Sequence, residues 1–198
     1  MSNEHSVGVT THEQDKAEAI LGAALDLFVE RGFHGTSVPS VADRAGVAAG
    51  TIYHYFASKE ALVNALYKRW KAEISARIIV DFPFDKPVRE QLRTIWERMA
   101  EFALDHPKEL AFLELHHHGS YLDDESKRIE FQTIEFGVEM VKRAQAQETL
   151  KALPAALLVE LVNGAFLGVF RAGLEGRVPL TKATLMDAEQ CCWEAVRA

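Results

Sequence analysis

An all-α chain is what this sequence predicts: an N-terminal three-helix domain with a helix-turn-helix, then a larger helical domain, about nine helices in total. Three observations lead there. Apolar residues recur at three- and four-residue spacing along most of the 198 positions. No β-branched run alternates with a period of two, as a half-buried strand would. Glycines, prolines and hydroxyl residues fall where helices would start and stop.

Residues 1–15, MSNEHSVGVTTHEQD, read as a polar, flexible leader without the basic and apolar regions of a secretory signal. From Asp15 to Arg31, Ile20, Leu21, Ala24, Leu25, Leu27 and Phe28 form one helical stripe, which Gly32 ends. Thr36 and Ser37 before Val38-Pro39 signal a second helix, broken after about two turns by Gly46. A short third helix spans about 48–55. Ser58-Lys59-Glu60 opens a fourth, which carries Leu62, Leu66, Trp70 and Ile74 and ends before Pro83. Domain boundaries of 16–60 and 61–198 follow. The body continues with helices expected at Val88–Asp105, Pro107–Gly119, Ser126–Leu150 and Ala155–Gly173, and a last one capped by Thr181.

Charge bounds the function. A formal net charge of -7 argues against a surface coated in basic residues for indiscriminate nucleic-acid binding. No uninterrupted apolar run approaches the ~20 residues that span a bilayer. The only two cysteines, Cys191 and Cys192, are adjacent and cannot staple distant segments, which fits a reducing, cytoplasmic setting. Motifs for a phosphate loop, a HExxH zinc site or a GxSxG nucleophile are missing, so no enzyme is expected.

The segment GVAAGTIYHYFASKEAL, Gly46 to Leu62, interleaves aromatic, hydroxyl and cationic side chains on a helix too short to stand alone. A helix-turn-helix sets the N-terminal part of its second helix against base edges in the major groove. Small residues at 48–50 allow close approach, and helix-start N–H groups favour phosphate. Thr51, Tyr53, His54 and Tyr55 offer hydrogen bonds to phosphates or bases, and Lys59 adds a positive charge. Ile52 and Phe56, four apart, should turn inward. Plain helical bundles contain the same geometry, so pattern alone leaves both readings open.

The stretch TSVPSVADRAGVAAGTIYHYFASKEAL, Thr36 to Leu62, with the preceding ALDLFVERGFHGT from Ala24, resembles the signature of TetR/AcrR transcriptional regulators. The resemblance covers roughly residues 16–66. It implies a homodimeric repressor that binds double-stranded operator DNA, with an effector held in the second domain and no cofactor. It implies Ser37 and Ser40 near phosphate, Gly50, Thr51, Tyr53, His54 and Tyr55 facing DNA, and Lys59 on phosphate. Ala48 and Ala49 depart from the serine and basic residue common there, which would weaken phosphate grip.

In the body, Gly164, Gly168 and Ala172 lie at four-residue spacing, with Leu157 and Leu161 nearby. Such a stripe suits a dimer seam or packing within the chain. A pocket for a largely apolar effector is expected among the helices 88–105, 107–119 and 126–150, lined by Trp96, Phe102, Phe112 and Phe131 beside His116 and His117. Glu114 with His117 or His118 has metal-ligand spacing, but three consecutive histidines fan over about 200° of a helix and cannot share one ion. No metal is expected.

Overall fold

The structure, a computed structural model, describes residues 5–115 and 119–198, with side chains from residue 13 and without that of residue 115. Among them are nine helices: α1 (His5–Gly35), α2 (Val38–Ala45), α3 (Ala49–Tyr55), α4 (Lys59–Ile79), α5 (Val88–Asp105), α6 (Pro107–Leu115), α7 (Asp124–Ala146), α8 (Ala155–Leu174) and α9 (Lys182–Val196). The all-α expectation holds.

Local chemistry sets the head. At Gly32 the backbone leaves the helix at φ +67°, a conformation side chains disfavour, so α1 kinks there. Buried Thr36 then closes the α1–α2 corner by donating its hydroxyl to Leu27 O and Gly32 O at 3.0 and 2.9 Å. Ser37 caps α2 in a reciprocal capping box with Ser40, and left-handed Gly46 ends it. Ile20, Ala24, Leu27 and Phe28 of α1 meet Val41, Ala42 and Ile52 in a core that runs on into α4.

In the body, Trp96 of α5 is buried edge-on to Phe166 of α8 and donates its indole N–H to Leu185 O of α9 at 2.8 Å. Arg89 of α5 forks onto Glu189 of α9, a carboxylate only 1% exposed. On α7, a Cβ at Gly137 would already touch both Val159 methyls at 3.4 Å, so α7 and α8 lie close. The chain end is pinned by Lys151 N–H on Val196 O and Ala198 N–H on Thr149 O.

Three expectations change. The supposed leader is helical from His5, where α1 begins. Asp123, whose carboxylate accepts from Ser126 N at 2.7 Å, starts α7 earlier than Ser126. That helix ends at Ala146 rather than Leu150, because Glu148 turns to φ +53° and Leu150 pairs with Arg197 instead.

Candidate nucleic-acid interface

Seven residues make α3, and one of them fixes how it faces. Ile52 is fully buried against α1 and α2. Gly50, Tyr53 and His54 consequently face solvent, Tyr53 at 57% exposure, with Thr51 and Tyr55 half-buried at the edges. The His54 and Tyr55 rings meet edge-on, 5.3 Å apart. Ala48 caps α3 without a side-chain bond, as its identity requires. Phe56 leaves the helix in an extended conformation and packs half-buried on the core. The surface offers hydroxyls and an imidazole, with little charge.

Ser37 and Ser40, both expected near phosphate, differ in what they have left to give. Ser40 already donates its hydroxyl to Ser37 O at 2.7 Å and accepts from Ser37 N. Exposed Ser37 only accepts, from Ser40 N, so its own O–H remains available.

Lys59, expected on phosphate, is already engaged within the chain. Its ammonium turns back to donate to Phe33 O and Thr36 O, both at 2.8 Å, and lies 3.9 Å above the Phe33 ring. It therefore closes the C-terminal end of α1, where carbonyls attract a cation. Arg44, the only other lysine or arginine between residues 36 and 60, forks onto Glu30 at 3.1 Å. That bond holds the Glu30 carboxyl below its ordinary value. Lys59→Met is expected to destabilise the head by about 2 kcal/mol or more, since it strips two charge-assisted bonds. It should leave the salt dependence of DNA binding unchanged. A slope reduced by about one unit would return Lys59 to the phosphate backbone.

Comparison with known proteins bears on this geometry. Residues 20–66 match the model for bacterial regulatory proteins of the tetR family, and residues 67–198 match the tetracyclin repressor-like C-terminal domain. The chain belongs to the TetR family. The match to bacterial regulatory proteins falls on the helix-turn-helix itself. The chain is 35% identical over 99 residues to an uncharacterized HTH-type regulator of Haemophilus influenzae, 50% of this chain and 53% of that one. It is 45% identical over 65 residues to RutR of Escherichia coli, 31% of each. The chain thus spans about half or less of these curated relatives. A TetR-family regulator structure from Shewanella sp. PV-4 superposes with a TM-score of 0.76 at 27% identity, covering 92% of this chain and 98% of that one.

In this TetR-family chain the aromatics expected to line one effector pocket are dispersed. Trp96 belongs to the α5–α8–α9 core, Phe102 packs on Trp70 and His106, and Phe112 packs on Phe28 of the head. Phe131, expected inward, is 61% exposed on α7. His116 and His117 lie outside the described residues. No group of three metal-capable side chains occurs among the described residues. Composition could not separate pocket from core, since both use the same rings.

The sequence reading missed how the TetR-type head is tied to the body. The α6–α7 connection grips it: Tyr121 stacks on Phe33 at 3.7 Å, and its hydroxyl meets His34 Nε2 at 2.6 Å. Buried Asn64 of α4 clamps the same connection, donating to Tyr121 O and accepting from Asp123 N, each at 2.8 Å. Lys68 reaches Asp123 and Glu125 at 3.4 and 2.7 Å. Asp123 is held below the ordinary carboxylate range, chiefly by the Ser126 N–H, with Lys68 assisting. A depressed carboxylate stabilises fully above its ordinary value and loses that contribution as pH falls through the folded one, so this latch loosens in acid. Phe33 thus carries Lys59 on one side and Tyr121 on the other. An asparagine exactly one turn from a lysine on an amphipathic helix gives no sequence signal for such a clamp.

Proposed function

We propose that this chain is a homodimeric repressor that holds double-stranded operator DNA in the cytoplasm and releases it when a small, largely apolar effector binds the body. The exposed Tyr53 and His54, with half-buried Thr51 beside them, are turned outward by buried Ile52 and carry the DNA half of this reading. Ser37 supplies a phosphate contact, and Gly50 and Tyr55 border the surface. Band shifts with the DNA upstream of its own coding region test it. Thr51→Ala or His54→Ala should change which sequence is preferred, each base-edge contact being worth about 1–3 kcal/mol. Ser37→Ala should weaken all sequences alike. Equal affinity for scrambled DNA would contradict the proposal.

Dimerisation is supported by α8. It is long and apolar enough by composition to cross a bilayer, yet Glu160 and Arg171 interrupt it, and few of its residues are fully buried in its own chain. Leu157, Leu161 and Gly164 are exposed and Gly168 half-exposed, the face a second copy would cover. Ala172, expected in this seam, is buried within its own chain and drops out of it.

The latch supports the release half. An effector shifts DNA affinity only by binding the released state more tightly, typically with a coupling of about 1–3 kcal/mol. Movement of α6 or α7 reaches the head through Tyr121 and Asn64. Asn64→Ala should cut the factor by which effector lowers operator affinity, while each binding alone persists. Tyr121→Phe, which keeps the stack, should retain most of it. Undiminished coupling in Asn64→Ala would remove the latch from the mechanism.

A further inference from the structure

We infer that Glu160 and Arg171 select the partner of α8: each pairs with Arg171 or Glu160 of the partner subunit across an antiparallel helix crossing at Gly164 and Gly168. The two reciprocal ion pairs fix the register of the crossing and admit only a like chain. This rests on the reading of the chain as a homodimer and names the contact that chooses the second copy.

Glu160 and Arg171 are the only charged residues of α8. With Leu157, Leu161, Gly164 and Gly168 they fall within about 100° of the helix circumference. Leu158, Phe166 and Phe170 lie outside that arc and are buried in the chain's own core. Leu157 and Leu161, by contrast, are 45% and 50% exposed. Both charges are exposed, and neither has a hydrogen-bond or ion-pair partner among the described residues. Glu175, one turn after Arg171, pairs with Arg177 instead. An open apolar face thus carries two opposite charges that nothing in the chain answers.

Their spacing says what answers them. A two-fold interface brings residue i to j and j to i, so a helix paired with its own copy must present a matching pattern when reversed. This face of α8 does so. Glu160 lies four residues before Gly164, and Arg171 three residues after Gly168. Exposed Leu157 and Leu174 flank the same midpoint at equal distance. Reversal sets glycine beside glycine, leucine beside leucine and carboxylate beside guanidinium. Within one helix the two charges stand about 16 Å apart along the axis, too far to meet. A Cβ at Gly164 or Gly168 would have no described atom within 4 Å, so a second backbone can come close at the crossing. The longer Glu160 and Arg171 side chains then span the gap that widens on either side. A lipid surface would have to take both charges unpaired, at a cost of several kilocalories per mole each.

Sedimentation equilibrium of the full-length chain tests the inference, with circular dichroism to confirm the fold. Glu160→Arg and Arg171→Glu each turn two attractive contacts repulsive, so each should weaken self-association about ten-fold or more. Mixed in equal amounts, the two variants should associate as tightly as the parent chain, because each supplies the charge that the other lacks. The double variant Glu160→Arg/Arg171→Glu should pair with itself and fail to exchange subunits with the parent. Single variants that dimerise like the parent, or a mixture no tighter than its components, would overturn the inference and leave the homodimer reading standing. A parent chain that stays monomeric, free or carried down with phosphatidylglycerol vesicles, would overturn both.

Discussion

Gly164→Leu is expected to fold like the parent chain, sediment as a single chain, and lose operator affinity by a factor of about 10³ or more. The fold should survive because a Cβ at Gly164 has no described atom within 4 Å, so the added side chain meets open space in its own chain. Gly168 is equally open. In the proposed dimer that space belongs to α8 of the second copy, and a leucine there holds the helices apart. A helix-turn-helix monomer contacts one half-site and falls towards the non-specific level, which lies at least about 10³-fold below specific binding. Sedimentation with circular dichroism separates monomer from unfolded protein. A soluble, fully dimeric Gly164→Leu would refute the seam.

Arg89→Met is the second large effect, and it acts on stability rather than on assembly. It strands the Glu189 carboxylate, 1% exposed, between α5 and α9. Breaking one side of a buried ion pair costs about 3–5 kcal/mol, whereas replacing both partners with apolar residues is often neutral. For a domain of this size that is a fall in melting temperature of roughly 6–20 °C. Adding Glu189→Leu to Arg89→Met should recover most of the loss. Melting at fixed protein concentration checks both, because assembly shifts apparent stability. An Arg89→Met that melts like the parent would show that the pair contributes nothing.

The head was largely legible because its signals are local. Ser37, Pro39 and Gly46 mark α2 within ten residues, and Ile52 fixes the outward face of α3 by spacing alone. The intrachain role of Lys59 was not legible, because its partners, Phe33 O and Thr36 O, lie 26 and 23 residues earlier and meet it only in the folded head. The pocket was illegible for a similar reason. Periodicity assigned Phe131 an inner face, but nothing in the sequence says which face of α7 its neighbours leave open, and Phe131 lies on that open face.

The central claim is sequence-specific recognition by a two-fold-symmetric pair of heads. Selection of random-sequence duplexes by the purified chain tests it most directly. The account predicts enrichment of palindromic sites with half-site centres one helical turn apart, about 34–36 Å, or somewhat farther. The preferred bases should shift when His54→Ala is used in the same selection. Recovery of duplexes with no common sequence, or of sites without two-fold symmetry, would contradict it.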